Sequence, residues 1–232
     1  MSAAVSADRV GLVFVSHSEK IAAGLVELAR QMAPTVQLVA AGGTDTGGIG
    51  TSFEKISDGI TAANGGVGVV ILCDLGSAIL TAETARDFLD DAEQNQVRIV
   101  DAPLVEGGVA AAVAAEIGGD LDAVVAAAQS ALHPSSSAPT AAEQPAAAGV
   151  SRTVILVNKD GLHARPAAEF VNLVSTFSVP ITVNGTDASS LLSIMSLGLA
   201  RGSSVQLSST DQSAGPAITA LAELLESGFG EE

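Results

Sequence analysis

The sequence predicts an α/β chain in two parts: a mostly parallel sheet flanked by helices over residues 1–133, then, after a break, a second and smaller domain. Three observations carry this. Short apolar runs without polar alternation stand at 11–15 and 67–73, as expected of strands buried on both faces, and 97–100 looks like a further strand. Segments with helical spacing lie between them, which gives a βαβα order and hence a parallel sheet. The stretch 134–149, Pro-Ser-Ser-Ser-Ala-Pro-Thr-Ala-Ala-Glu-Gln-Pro-Ala-Ala-Ala-Gly, has no apolar periodicity and no large hydrophobic side chain. Such a segment buries too little surface to fold and reads as a flexible linker, leaving 150–232 as the second domain.

Each element follows from its residues. Behind the first run, Ile21, Leu25, Leu28 and Met32 recur at spacings of four, three and four, one face of an amphipathic helix. A shorter strand is expected around 36–40. The glycine-rich segment 42–50 lacks the Lys-Ser/Thr of a P-loop and the spacing of a dinucleotide fingerprint, so it is expected to be a mobile loop rather than a nucleotide site. Thr51-Ser52-Phe53-Glu54 matches a capping box, with Phe53, Ile56 and Ile60 behind it on a helix. The runs 67–73 and 97–100 supply the third and fourth strands, and Ala-rich helices at about 105–116 and 121–132 close the domain.

Composition narrows the function. The 232 residues leave room for one large or two ordinary domains. The balance is 26 acidic against 10 basic residues, with 17 against six in 1–133, so the first domain carries most of the net charge of −16. Like charges repel nucleic acid and anionic membranes, which points to protein partners. One cysteine, Cys73, excludes an internal disulfide framework and fits a reducing compartment; set in an apolar run, it is expected to be buried and inert. Residues 1–10 carry no basic stretch leading into an apolar core, and no apolar run reaches membrane-spanning length, so a soluble cytoplasmic protein is expected. No Cys/His/carboxylate set has metal-ligand spacing, and no metal site is expected.

Two histidines stand where chemistry is favoured. In parallel α/β sheets reacting groups gather beyond the carboxyl ends of the strands. His17, in Val15-Ser16-His17-Ser18, follows the first strand, and Asp74, in Cys73-Asp74-Leu75-Gly76-Ser77, follows the third. Spacing alone leaves two readings: Asp74 fixes the tautomer of a nucleophilic His17, or each residue caps its own helix and the two never meet. In Gly161-Leu162-His163-Ala164-Arg165-Pro166-Ala167, Pro166 is tolerated only in a first turn, which places a helix start at or just before Ala164. A phosphoryl group on His163 would meet the unpaired N–H groups and positive dipole end of that helix, with Arg165 adding a cationic fork.

That heptapeptide, the strand expected at 153–158, the block Ser190-Leu191-Leu192-Ser193-Ile194-Met195-Ser196-Leu197-Gly198 and the segment 221–231 resemble HPr, the phosphocarrier of the bacterial phosphoenolpyruvate-dependent phosphotransferase system. The resemblance covers about 150–232. It implies an α+β fold, a four-stranded antiparallel sheet packed by three helices, with His163 as the phosphorylated residue and Ala164 and Arg165 in support. Ser190 falls where some HPr proteins are phosphorylated by a regulatory kinase, yet Ser189 replaces the lysine common before it. The simpler reading, a serine capping the short helix that runs towards Leu199, is preferred.

Residues 10–132 resemble the IIA domain of mannose-type transporters and, more closely, DhaM, the phosphotransferase subunit of bacterial dihydroxyacetone kinases. The residues that carry this are Val15-Ser16-His17-Ser18, Ile49-Gly50-Thr51-Ser52, the run from Asp74 to Glu83, and Ala102-Pro103-Leu104-Val105-Glu106-Gly107. The segments Gly76-Ser77-Ala78 and 103–107 are those that separate the DhaM version from the sugar-transport one. The resemblance implies that His17 accepts the phosphoryl group, supported by Asp74, Gly76 and Ser77. It implies a relay from enzyme I through His163 to His17, and on to ADP held by a separate subunit that works with a dihydroxyacetone-binding subunit. The intermediates would be phosphohistidines, with no cofactor bound by this chain and a homodimer formed through the first domain. Two alternatives belong beside it: a sugar-transport IIA component that hands its phosphate to a IIB protein, and a regulatory module whose binding depends on phosphorylation.

Overall fold

The computed structural model describes residues 8–132, 149–159 and 161–230. The described residues form two compact units, one up to 132 and one from 149. Apart from Gly149, the expected linker 134–149 lies outside the described residues.

In the first unit, β1 (Gly11–Ser16) leads to α1 (Glu19–Arg30), β2 (Leu38–Gly42), α2 (Phe53–Ala63), β3 (Val69–Cys73), α3 (Gly76–Asp87), the single turn α4 (Asp91–Gln94), β4 (Val97–Val100), α5 (Leu104–Glu116) and α6 (Leu121–Gln129). The strands pair in parallel in the order β2-β1-β3-β4. Every residue of β1 and β3 is buried, which is why these strands read as unbroken apolar runs. One face is covered by α2 and α3, whose Ile56, Ile60, Ala78 and Ala82 pack on Val13, Val15, Ile71 and Cys73. Full burial of each isoleucine contributes about 1.5–3 kcal/mol. The other face receives α1 and α5: a Cβ on Gly108 would come within 3.0 Å of the Phe14 ring and 3.2 Å of a Leu25 methyl, so glycine lets α5 sit close against the sheet. Since β2 lies on one side of β1 and β3 on the other, the direction of strand addition reverses there. A crevice opens beyond the carboxyl ends of β1 and β3.

Several local expectations shift. The buried stripe of α1 is Ala22, Leu25, Val26 and Ala29, while Ile21 and Leu28 are exposed and Met32 lies past the helix. Small alanines let the helix approach the sheet, so its inner face is not its bulkiest one. The second strand begins two residues later than expected, at Leu38, because it pairs from Leu12 onward. The third starts at Val69, since Gly66 and Gly68 have positive φ and turn the chain before it. The capping box is out of register by one: Ser52 caps α2 by accepting from the Lys55 N–H, and the Thr51 hydroxyl instead meets that of Thr81 at 2.9 Å. The helix at 121–132 ends its α-helical part at Gln129 and finishes in a 3-10 turn. Segment 42–50, expected to be mobile, is tied by hydrogen bonds from Gly48 to Thr44, from Gly50 to the His17 carbonyl, and between Ser52 and Asp45.

The second unit runs β5 (Val150–Ile155), α7 (Ala164–Ser175), β6 (Thr182–Val183), β7 (Thr186–Asp187), α8 (Leu191–Ser196), β8 (Ser204–Ser209) and α9 (Gly215–Glu226). Its sheet is antiparallel in the order β5-β8-β6-β7. In β8, Val205, Leu207 and Ser209 are buried between less buried neighbours, the alternation of a sheet with one face solvated. The three α-helices bury Phe170, Ile194, Ile218 and Leu221, with α9 against β5 and β8, α8 against β7, and α7 against α8 and α9. The first strand ends at Ile155 rather than 158. Asn158 is drawn into a turn, where its side-chain amide donates to the Gly161 carbonyl and its own carbonyl accepts from the Gly161 N–H at 3.3 Å. Among the described residues, no helix is long and apolar enough to cross a membrane.

Candidate functional site

The crevice brings together two residues 57 positions apart in the chain. His17 is the first residue past β1 and Asp74 the first past β3, so the parallel pairing of these adjacent strands sets them side by side. Asp74 Oδ1 lies 2.9 Å from His17 Nδ1, and Asp74 Oδ2 accepts from the His17 main-chain N–H at 2.8 Å. The Ser16 hydroxyl, fully buried at the strand end, also donates to Oδ2 at 2.8 Å and accepts from the Ser18 N–H at 3.0 Å. The Leu75 N–H donates to Oδ1 at 2.8 Å. On the far side of the ring, His17 Nε2 lies 2.6 Å from the Ser77 hydroxyl at the start of α3. The helix-capping alternative for the pair does not describe this geometry. Asp74 lies outside the α3 cap, which is Leu75, and His17 precedes Ser18, the cap of α1.

The electrostatics follow from the contacts. Partial burial pushes the Asp74 carboxyl up, but hydrogen bonds from the His17 ring and main chain, from Ser16 and from Leu75 outweigh it and hold the group below its ordinary value of 3.8. The carboxylate is therefore ionised at neutral pH and acts only as an acceptor. Facing an ionised carboxylate, His17 Nδ1 carries a proton, and in the neutral form of the ring that places the lone pair on Nε2. The side chains of His17 and Asp74 are 19% and 16% exposed, sheltered enough for the pair to hold its geometry and open enough for Nε2 to be reached. Next to Asp74, the Cys73 thiol is pushed up to about 12 by burial first and by the Asp74 and Glu83 charges second, so it stays protonated and unreactive.

The second histidine is placed by local structure. His163 is exposed and is the N-cap residue of α7, with Ala164, Arg165 and Pro166 as its first three helical residues. The loop before it is pinned from both sides. The Leu162 N–H donates to the Leu199 carbonyl at 2.8 Å, and the His163 N–H to the Gly161 carbonyl at 3.0 Å. Gly161 has φ +73°, and a Cβ there would stand 2.3 Å from the Leu199 oxygen, so only glycine fits this position. The first N–H groups of a helix have no intrahelical acceptor, and those of α7 follow the imidazole directly in the chain.

Residues 11–125 match the family described as the PTS system fructose IIA component, and residues 150–227 match the PTS HPr component phosphorylation site. Over 117 residues the chain is 41% identical to the phosphoryl donor subunit DhaM of PEP-dependent dihydroxyacetone kinase 2 from Listeria innocua, a match covering 50% of this chain and 94% of that protein. The chain belongs to the DhaM family. The DhaM of Escherichia coli is 35% identical over 240 residues, covering 96% of this chain and 51% of its own length. The chain thus spans about half the length of that relative. The solved HPr structure from Thermoanaerobacter tengcongensis is 46% identical and covers 36% of this chain and 98% of its own, with a TM-score of 0.34.

In this member of the DhaM family the predicted site residues fall into two sets. His17, Asp74, Gly76 and Ser77 lie at the switch of strand order in the first unit, while His163, Ala164 and Arg165 form the start of α7 in the second. Ser190 belongs to neither cluster as described. It is the N-cap of α8 and accepts from the Ser193 N–H at 3.3 Å and from the Ser193 hydroxyl at 2.9 Å, as the capping reading expects. Sequence reasoning missed Ser16, whose hydroxyl braces Asp74. Its signal was a small polar residue ending an otherwise apolar strand.

Proposed function

We propose that this chain relays phosphoryl groups in a phosphoenolpyruvate-dependent phosphotransferase system: from enzyme I to His163, from His163 to His17, and from His17 to ADP held by another subunit of a dihydroxyacetone kinase. The observation that carries this is the Asp74–His17–Ser77 line at the carboxyl ends of β1 and β3, which leaves Nε2 as the nucleophilic atom. It occurs in a chain that also matches an HPr phosphorylation site. The names of the DhaM relatives, phosphoryl donor subunits of dihydroxyacetone kinases, supply the acceptor side of the reading.

Each site does a simple task. His163 Nδ1 receives the phosphoryl group at the start of α7, where helix N–H groups and Arg165 offset its charge. His17 Nε2 then attacks the phosphorus, the donor P–N bond breaks, and its electron pair remains on the His163 ring. Asp74 balances the positive charge that the His17 ring acquires once its second nitrogen is substituted. With the His163 ring holding its proton on Nε2, the pair left on Nδ1 gives a neutral imidazole and no proton has to move, so orientation and charge stabilisation are the main demands on the protein. The same reading assigns 1–133 and 150–232 as the two phosphorylated domains, joined by 134–149, in a cytoplasmic homodimer formed through the first.

The test is mass spectrometry of the chain after incubation with phosphoenolpyruvate and enzyme I. Label is expected on His163 and His17, followed by dihydroxyacetone phosphate formation once the partner subunits and ADP are added. Label on neither histidine, or efficient transfer to a sugar-transport IIB protein instead, would overturn the reading.

A further inference from the structure

The step that empties His17 makes a different demand from the step that fills it. His163 presents its phosphoryl group with compensating charge of its own, the first N–H groups of α7 and Arg165. ADP is itself an anion, and it would approach a unit with 17 acidic against six basic residues, with Asp74 on the His17 ring and Glu19 two residues past it. Where the six cations stand decides which of them could meet it. In a parallel α/β sheet the carboxyl ends of the strands and the first turns of the helices that follow share one edge, here the edge of His17. Arg9 precedes β1, Arg30 and Arg86 lie in the last turns of α1 and α3, and Arg98 is near the start of β4, so these four belong to the opposite edge. Arg9, Arg86 and Arg98 are also engaged there, with the Ala115 carbonyl at 2.9 Å, the Asp87 carboxylate at 3.1 Å and the Asn95 carbonyl at 2.7 Å. Of the two at the His17 edge, Lys55 donates to the Gly42 carbonyl at 2.9 Å. Lys20, exposed as the second residue of α1, makes no hydrogen bond or ion pair among the described residues. With Ser18, Glu19, Gly47, Gly48 and Ile49 it lines a cavity of about 500 Å³. One wall begins at the residue after His17. The other belongs to the segment whose Gly50 N–H donates to the His17 carbonyl at 2.9 Å, so the cavity adjoins the histidine.

We propose that Lys20 binds the diphosphate of the incoming nucleoside diphosphate and offsets its charge while the phosphoryl group leaves His17. The proposal rests on the relay reading, in which ADP held by another subunit is the acceptor. A terminal phosphate oxygen of ADP attacks the phosphorus. The new O–P bond forms as the P–Nε2 bond breaks, and the electron pair of the broken bond returns to Nε2. The Nδ1 proton stays facing Asp74, so no proton moves and the product is ATP. Two phosphate groups close on one another in this step, and an ammonium on a flexible four-carbon stem follows the charge as they join. The Glu19 carboxylate lines the same cavity and opposes an anion there, which leaves Lys20 as the group that makes the approach favourable. Filling His17 from His163 has no such need, because Arg165 arrives with the donor.

The experiment uses the full chain as wild type, Lys20→Ala, Lys20→Arg and Arg30→Ala, each phosphorylated with enzyme I and phosphoenolpyruvate and then mixed, in a single turnover, with increasing amounts of the ADP-loaded subunit up to saturation. At saturation, loss of label from His17 should be slowed about 10- to 100-fold in Lys20→Ala, as for one lost charge-assisted hydrogen bond, and should recover in Lys20→Arg. Arg30→Ala removes the same charge from the other end of the same helix and should leave the rate unchanged. Passage of label from His163 to His17 should run alike in all four proteins. Discharge at the wild-type rate in Lys20→Ala, a slowing that Arg30→Ala reproduces, a slowing that vanishes at saturation, or an equal slowing of the first transfer overturns the role of Lys20 and leaves the relay standing. A wild-type His17 that takes label but does not pass it to ADP overturns the acceptor in the relay, and the role of Lys20 with it.

Discussion

The two histidines are framed by opposite routes. His163 is served by its neighbours in sequence: Gly161 shapes the turn, Ala164 to Pro166 start the helix, and what it needs is written within a few residues. His17 is served by groups 57 and 60 positions away, Asp74 and Ser77, which reach it only because β1 and β3 are adjacent parallel strands. The exposed site stands at a helix end. The sheltered one is built around a carboxylate that orients the ring from Nδ1. A local site tolerates changes elsewhere in its unit, whereas a non-local one depends on the register of two strands.

The sharpest way to break the comparison is to remove one histidine at a time. His163→Ala should abolish enzyme I-dependent label on both, and His17→Ala should leave His163 labelled and stop onward transfer, read by peptide mass spectrometry. Label on His17 in the His163→Ala chain, with no other HPr present, would show that the sites do not act in series. Next in size is Asp74→Ala, which should slow transfer through His17 by a factor of ~100 or more and spare His163, since a misoriented nucleophile loses most of its advantage. Stopped-flow quench of each transfer separates the two.

Smaller effects test how local the His163 site is. Gly161→Ala forces a Cβ onto the Leu199 oxygen at a positive φ and should destabilise the second unit by about 1–3 kcal/mol, read by hydrogen exchange, with the first unit unaffected. Ser190→Ala removes the α8 cap and should cost about 0.5–2 kcal/mol, with phosphorylation of His163 unchanged. The smallest effect is in acid. Asp74 has a folded value below its ordinary 3.8, so the stability it contributes is present above that pH and is lost as pH falls through the lower folded value. A pH titration of unfolding should show this loss in the wild type and lack it in Asp74→Asn; equal acid profiles would mean that the hydrogen bonds around Asp74 do not depend on its charge.

Much of this was legible in the sequence. Unbroken apolar runs announced the buried strands, because residues enclosed on both faces have no reason to alternate. Pro166 announced the start of α7, because proline is accepted only where no helical N–H is needed. The inner stripe of α1 was misread because alanines rather than Ile21 and Leu28 face the sheet, and hydrophobic periodicity favours large side chains over the small ones that permit close approach. The capping register at Ser52 slipped by one because two adjacent hydroxyls, Thr51 and Ser52, both qualify, and only the path of the chain toward Thr81 decides between them.

By itself the sequence determined the fold class, the place of both histidines at the ends of their elements, and the helix start that follows His163, since these depend on periodicity and backbone geometry over a few residues, whereas the Leu199 carbonyl that pins the loop before His163 comes from a distant segment. Only the tertiary structure decided that Asp74 and His17 meet, that Ser16 braces the carboxylate from within the strand, and that the Ser77 hydroxyl reaches Nε2. Those contacts depend on which strand lies beside which and in what register, and pairing between distant segments is set by the packing of the whole sheet, which no short stretch of residues encodes.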